Sequence, residues 1–524
     1  MNSRKHFHLA ILHAAALAVA APSALSQDVR VDITSAVAPG TGNVRLNGTP
    51  GDFYMIFFSF EESLTDLGDG IILLVDPIRA IQENLHIEGT IPGGGIVNFS
   101  FPTTAEWAGG RISFQGVTVG PATGLLISNL CRATFQAPNT FADAVGLPSS
   151  FSILGDLLPQ ADGDLLAIGG AGPVVQTYDT CLQQAIPSGL MSAGGYPLSS
   201  RTQLANGKIL VAGGITAGLD GTGQLGVNIQ TTTEAYLFDP ADGTTTPTAT
   251  PMTTARAGAA AVLLNNGKVI ITGGIGAIDL ANPASLLTGV LQSTELYDPA
   301  TNSFAAGPSL VEGKAFHTAT KLNNGNVLVA GGLAQAFGIP FISNLSYTYN
   351  AATNSFGFLP ALFTGSRMFH SAVKLADGRV QLIGGITADL SGVLESGDLT
   401  QIVLGSIDTT AIFNPSSPFA PWGNGPLLSE SRALHTATLL PGNKILVAGG
   451  LSGNLDIGSL LSGNLGGLVS PSATATSELV TPSTVTPGPT MGAARAGASA
   501  AVSPMDGRVI ILGGGPLTCE LYQP

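Results

Sequence analysis

Positive charge is scarce in this chain. Its 524 residues carry 20 Lys and Arg against 34 Asp and Glu, a formal net charge of −14. A nucleic-acid-binding protein needs a basic face to neutralise phosphates and release their counterions. No basic run is present, so nucleic acid is excluded as a partner. The same deficit argues against docking on anionic lipid. Cysteine is almost absent: Cys131, Cys181 and Cys519 are too few, and odd in number, for a disulfide framework. The chain has no Gly-x-Ser-x-Gly elbow, no His-Glu-x-x-His and no Walker loop, which removes the commonest hydrolase, metalloprotease and nucleotide-binding signatures.

What is abundant is glycine, 69 residues, with 33 prolines and a hydrophobic content of 44%. The glycine has no period of three, so collagen is excluded, and the apolar content is too high for a disordered chain. Short apolar runs punctuated by Gly and Pro predict many short strands and tight turns. The N-terminus reads as a secretory signal. Arg4 and Lys5 precede an apolar stretch from Leu9 to Ala21, too short to span a bilayer, and Ala24-Leu25-Ser26 is a small-x-small cleavage site. A signal peptide over 1–26 predicts a secreted, periplasmic or cell-surface protein with no membrane insertion after cleavage; a cut after Ala20 is the alternative.

The strongest pattern is internal repetition. A Gly-Gly pair closes an apolar run seven times, beginning at Gly169, Gly213, Gly273, Gly331, Gly384, Gly449 and Gly513. A turn dipeptide precedes each run: Asp162-Gly163, Asn206-Gly207, Asn266-Gly267, Asn324-Gly325, Asp377-Gly378 and Asp506-Gly507, with Gly442-Asn443 reversed in the sixth copy. Such dipeptides favour the positive φ of a hairpin turn, so each Gly-Gly strand is the second half of a hairpin. A third strand follows, clearest in Thr294-Glu295-Leu296-Tyr297-Asp298-Pro299, and a fourth begins near Phe304 and Phe356. Four antiparallel strands, repeated, describe a propeller blade.

On these residues the sequence resembles the Kelch repeat family over roughly 139–524, by the Gly-Gly after the second strand and the Tyr on the third. It departs from the pattern at the fourth-strand Trp, where only Trp422 stands near the expected place. The resemblance implies an all-β, seven-bladed β-propeller over 138–524. The seventh copy stops at Tyr522-Gln523-Pro524, where its fourth strand is due, and Asn139-Thr140-Phe141-Ala142 matches Asn302-Ser303-Phe304-Ala305. Strand exchange between the termini is therefore expected to close the ring, since an unpaired edge is a liability. Cys181 and Cys519 fall on neighbouring blades but at opposite ends of their strands, and their pairing stays open.

Residues 28–137 lack the repeat. Strand-like runs at 53–60, 71–77, 85–91, 96–102, 111–119 and 125–135 predict a small antiparallel β-sandwich.

Three histidines share one repeat position, in Lys314-x-x-His317, Arg367-x-x-His370 and Arg432-x-x-His435. Together with Arg367 and Arg432 they are the channel candidates. A ring of imidazole and guanidinium has the chemistry to bind an anion or a metal; blade-to-blade hydrogen bonding is the reading favoured, because three ligands from consecutive blades spread along a circle. The related enzyme class is the Kelch-type galactose oxidases, which resemble this chain in joining a sandwich to a propeller. Their tyrosine, histidine and crosslinked-cysteine copper site has no counterpart in these spacings. The expectation is therefore no catalytic residue, no cofactor, no metal and no enzyme.

The connections after the Gly-Gly strands are short in copies one and seven and long in two to six, rich in Leu, Ile and Gly. All leave on one face, predicting a wall with a gap at copies one and seven, where the front domain is expected to dock. Long apolar loops point to a partner surface. The function expected is an extracellular or periplasmic binding module for a protein or glycan; a carbohydrate-active enzyme and a self-assembling surface protein are the alternatives.

Overall fold

The computed structural model describes residues 29–60, 65–66, 72–75, 79–80, 83, 85–144, 155–169, 174–181, 184–191, 197–219, 225–277, 289–336, 339–359, 363–389, 403–455, 473–515 and 518–524. The proposed signal peptide lies outside these residues. The chain is all-β, its helical content among the described residues limited to isolated turns such as Ala105–Trp107. No helix of the described residues is long and apolar enough to cross a membrane.

From residue 140 onward the strands form seven four-stranded antiparallel sheets, numbered one to seven here. They span 155–190, 200–247, 260–306, 318–358, 371–424, 436–487 and 499–523. In each, the first strand pairs with the Gly-Gly strand, which pairs with the third. The sheets pack face to face through apolar clusters that pass from one to the next. Val269 and Ile271 of sheet three meet Leu210 and Ala212 of sheet two, and Val327 and Val329 of sheet four meet Val262 and Ile270 of sheet three. The series returns to its start, because Ile510, Leu512 and Leu521 of sheet seven pack on Leu157, Leu165 and Tyr178 of sheet one. The Gly-Gly strands are buried on both faces, which is why they read as unbroken apolar runs.

Sheet seven takes its fourth strand from the other end of the chain: Thr140–Ala144 pairs with Cys519–Gln523. The segment carries the same local device as its internal relatives. The Asn139 side chain accepts from the Tyr522 hydroxyl, as Asn302 does from Tyr297 and Asn354 from Tyr349. All three asparagines sit at positive φ, 56°, 51° and 47°, a region Asn tolerates better than other side-chain-bearing residues.

The hairpin turns differ from the expected two-residue type. In the Asx-Gly copies only the glycine takes positive φ, as at Gly207 (84°) and Gly267 (82°), whereas in the reversed sixth copy both Gly442 (76°) and Asn443 (58°) do. The preceding Asn or Asp instead accepts the N–H two residues on, Lys208 by Asn206 and Lys268 by Asn266, an Asx turn. In sheets two to seven both residues of the Gly-Gly pair have positive φ, 61° and 104° at Gly273 and Gly274. A Cβ on Gly273 would stand 2.0 Å from the Lys314 carbonyl oxygen of the next sheet. Gly273→Ala is therefore expected to cost about 3–5 kcal/mol, left-handed strain plus a clash with main chain, read as a drop in denaturant midpoint at unchanged slope.

The front module has two antiparallel sheets. One contains Arg30–Ala36, Gly40–Asn47 and Ile96–Thr103; the other contains His86–Thr90, Phe53–Ser59, Arg111–Gly120 and Gly124–Thr134. Val31, Ile33, Val44 and Leu46 of the first share a core with Ile56, Ile112, Phe114 and Ala133 of the second. Two of these strands were not anticipated. Their period-two alternation at Val31/Ile33 and Val44/Leu46 was present in the sequence, but polar partners made it quiet. Among the described residues of the run at 71–77, Ile72–Leu73 forms a strand.

The module docks at the ends of sheets one and seven opposite the Gly-Gly loops, not in a gap on the loop-bearing face. The disulfide joins Cys131 to Cys181, in the turn after the third strand of sheet one. Cys519 is free and buried. A Cys181–Cys519 pairing is thereby excluded: the third strands run so that residue 181 lies at one face and 519 at the other.

Candidate functional site

Each first strand begins at the Gly-Gly face and is the innermost of its sheet, so the residue two before it lies near the axis. In the described sheets these residues are Leu198, Gly258, Phe316, Phe369, Leu434 and Gly497. They form one hydrogen-bonded chain around the centre. Gly258 N–H donates to Leu198 O (2.8 Å), Phe316 N–H to Gly258 O (2.9 Å) and Phe369 N–H to Phe316 O (3.1 Å). Leu434 N–H donates to Phe369 O (3.1 Å) and Gly497 N–H to Leu434 O (2.8 Å). Every member has a left-handed backbone, with φ of 60°, 65°, 55°, 51°, 53° and 69° in chain order. Glycine meets that demand without cost. A Phe or Leu there costs of order 1–2 kcal/mol each.

The large side chains form an apolar floor. Phe316 and Phe369 stack with centroids 4.3 Å apart at 25°. Together with Leu434 they lie against Ile275, Leu333, Met368, Ile386 and Leu451. Phe316, Phe369, Leu434 and Leu198 are each only partly buried. Around them the long connections raise extra strands: a hairpin of Ile215–Leu219 with Leu225–Thr231, another of Leu333–Ala336 with Ile339–Ile342, and a three-stranded sheet of Ile386–Asp389, Val403–Ser406 and Asn454–Leu455. This last sheet joins the loops of sheets five and six. The polar groups described on this wall include two hydroxyl pairs, Ser366 with Thr387 (2.9 Å) and Ser406 with Ser431 (2.8 Å). The stretches 278–288, 390–402 and 456–472 of the expected loops lie outside the described residues.

Behind the floor stand the predicted Arg367 and Arg432, with Arg256, Lys314 and Arg495 at the same repeat position of other sheets. All five are fully buried. Each side chain reaches the carbonyl of the first Gly of its own sheet's pair: Gly273 from Arg256 (2.6 Å), Gly331 from Lys314 (3.0 Å), Gly384 from Arg367 (2.9 Å), Gly449 from Arg432 (2.9 Å) and Gly513 from Arg495 (2.8 Å). Each of these residues also accepts, at its own main-chain carbonyl, from the second Gly of the preceding sheet, as Arg432 does from Gly385 (2.9 Å). The side chains therefore pin one sheet, and the main chain makes the bond between sheets. Four cations have a carboxylate partner: Glu295, Glu312, Glu478 and Glu520. Arg367 has none among the described residues; its NH groups go to the carbonyls of Thr364, Gly365, Gly384 and Thr409 and to the Thr409 hydroxyl. Burial without a counter-charge pulls its pKa down to about 10.

Two of the three histidines bridge sheets through their rings. His317 Nε2 meets the Thr272 hydroxyl (2.8 Å) and His370 Nε2 the Thr318 hydroxyl (2.9 Å). Among the described residues His435 has no partner at either ring nitrogen, and the Nδ1 atoms of His317 and His370 have none either. Burial, with the neighbouring cations, drives the pKa of His317 and His435 down to about 3 and that of His370 well below its usual value. All three are neutral at physiological pH. Among the described residues no three His, Cys, Asp or Glu side chains converge as metal ligands.

The floor was missed in the sequence, although its signal was there. Phe316-His317, Phe369-His370 and Leu434-His435 place a large apolar residue where Gly258 and Gly497 stand in sister copies. Gly alternating with bulky residues at one repeat position marks a left-handed site.

No protein-family model matches the chain. No curated protein matches it either. Among solved structures, a protein described as YjhT aligns over 66% of this chain and 99% of its own, at 15% identity and a TM-score of 0.48. A fungal alcohol oxidase of the AA5 family, solved in complex with copper, aligns over 74% of this chain and 76% of its own, at 18% identity and a TM-score of 0.54. At that identity the second likeness shows the fold alone: the β-propeller architecture. It corrects the expectation that this chain is not an enzyme. An alcohol oxidase solved in complex with copper is built on this architecture, so a propeller fold by itself does not argue against catalysis.

Proposed function

We propose that the chain is an exported Kelch-type propeller of seven blades with a front β-sandwich, and that its loop-bearing face binds a neutral glycan on the floor of Phe316, Phe369, Leu434 and Leu198. One observation carries the reading. The fold accepts glycine at this repeat position in two sheets, yet four sheets retain a large apolar side chain there at the expense of left-handed strain. The side chains are not fully buried, so core packing alone does not account for them. Strain of this kind concentrates at functional sites. A flat stacked aromatic pair offers the apolar face of a pyranose ring a surface to lie on, and paired hydroxyls on the wall supply exchangeable hydrogen-bond partners. The acidic chain, with its central cations buried, gives an anionic sugar little to bind.

Binding at this floor is compatible with turnover of the bound ligand. The fold likeness to the AA5 alcohol oxidase supports a second reading, oxidation of a carbohydrate alcohol. The described donors do not fit copper, since His317, His370 and His435 each face a separate inter-sheet junction.

The test is a neutral-glycan array with the full-length protein, followed by calorimetric titration of any hit. Phe316→Gly/Phe369→Gly is expected to weaken binding roughly tenfold or more, from the loss of two aromatic contacts. Stability should stay within about 1 kcal/mol, because relieved strain offsets lost packing. Binding that survives the double substitution, or an array on which no neutral glycan is bound, would exclude the glycan floor.

A further inference from the structure

The seam between sheets one and seven is where the two ends of the repeated part meet: Thr140–Ala144 leads on in the chain to sheet one, but it is joined to Cys519–Gln523 of sheet seven by hydrogen bonds and not by a chain turn. Its apolar contact joins Leu157, Leu165, Ala167 and Tyr178 to Ala501, Ile510, Leu512 and Leu521. A single short segment of the chain touches both sides of this seam. At its start, Cys131 is bonded to Cys181 of sheet one, and Arg132 N–H donates to Cys181 O (2.7 Å). A few residues on, Thr134 O and Gln136 Oε1 accept from Arg508 of sheet seven (3.2 and 3.4 Å), and Gln136 Nε2 donates to Leu521 O (3.0 Å). Asn139 N–H then donates to Gln523 O (2.7 Å), and Thr140–Ala144 completes sheet seven.

We infer that residues 131–144 form a clasp across the ring seam, with the front module as its rigid back and the Cys131–Cys181 bond as its covalent hook. The rigidity has a structural source. Cys131 lies in the strand Gly124–Thr134, and both cysteines are buried in the module's core beside Val31, Phe114, Ala133 and Phe135. The module therefore holds its hook on sheet one and its strand in sheet seven at a fixed separation, and opening the seam requires breaking one of them. The sheet-seven side is secured by a ladder of main-chain bonds. The sheet-one side has one main-chain bond from Arg132 and the disulfide. Cleaving the disulfide should loosen the seam locally and leave the remaining junctions, such as that between sheets three and four, as they were.

The experiment is hydrogen exchange read by mass spectrometry on the full chain, comparing the oxidised protein, the protein treated with a phosphine reductant, and the Cys131→Ser/Cys181→Ser variant. A non-reducing peptide map should first show residues 131 and 181 in one linked species. Amides of Gln184–Leu190, Thr140–Ala144 and Cys519–Gln523 are expected to exchange roughly tenfold faster once the bond is gone, with sheets three and four unchanged. Where the reductant does not reach the buried sulfurs, the variant gives the reading; where the variant does not fold, the reduced protein gives it. Unchanged exchange at the seam would show a tether with no part in closure, and equal acceleration in all sheets would show a general brace. Either result overturns the clasp.

Discussion

Lowering the pH from 6.5 towards 3 is expected to unfold this protein steeply, with three histidines as the largest cause. In the unfolded chain each titrates near 6.5. In the folded chain burial holds His317 and His435 at about 3 and His370 well below normal. A base whose folded pKa is depressed contributes nothing unfavourable above pH 6.5. Its penalty grows as pH falls from 6.5 to the folded value, because only the unfolded chain takes up the proton. For His317 and His435 the loss is about 2 kcal/mol each at pH 5 and about 5 kcal/mol each below pH 3. Two such losses rival the whole stability of a typical domain. With all three sites, the slope of unfolding free energy should approach 4 kcal/mol per pH unit between about pH 5.5 and 3.5. The triple variant His317→Ala/His370→Ala/His435→Ala is the comparison, since Ala259 and Ala498 occupy the equivalent positions of sheets three and seven. It will start less stable at pH 7 and should lose this slope. Parallel pH dependence in the two proteins, by denaturant titration at a series of pH values, would show that carboxylates and not the histidines govern acid unfolding.

The same histidines show what was legible in the sequence. Their spacing from the Gly-Gly strands was plain, and so was a role between sheets, because a repeat position must serve the repeat. The isolation of the His435 ring was not: whether Ser371 turns its hydroxyl to the His435 carbonyl or to the ring is a rotamer choice, and the structure chooses the carbonyl. The sheets themselves were readable because Gly-Gly, Asx-Gly and the third-strand Tyr recur together, and the missing last strand was readable because Asn139-Thr140-Phe141 copies Asn302-Ser303-Phe304. The Cys131–Cys181 bond was hidden, since it joins the unrepeated module to the repeated part, and no period relates the two. The left-handed floor was hidden for a different reason. Phe316 and Phe369 look like ordinary core residues unless Gly258 and Gly497 are set beside them.

The buried cations give the second large effect. Arg432→Met is expected to cost about 3–5 kcal/mol, because it strands Glu478, whose side chain is 3% exposed, without its 2.7 Å partner. It also removes the donors to Gly449 O and Thr476 O. Arg367→Met should cost much less, within about 2 kcal/mol. The carbonyls of Gly384, Thr409 and Thr364 lose their donors, but no carboxylate is stranded, and an uncompensated buried charge disappears. Carrying that charge is itself unfavourable by roughly 3 kcal/mol, as its pKa of about 10 against the ordinary 12.5 implies. The contrast follows from one residue. Ala411 of sheet five stands where sheets three, six and seven have Glu295, Glu478 and Glu520. If the stranded carboxylate is the cause, Arg432→Met/Glu478→Leu will recover much of the loss that Arg432→Met alone incurs, since a buried pair is replaced by apolar groups together. Chemical denaturation of the four proteins at pH 7 measures all three differences. Equal costs for Arg432→Met and Arg367→Met would mean that the hydrogen bonds to the Gly-Gly carbonyls, common to both, dominate over charge.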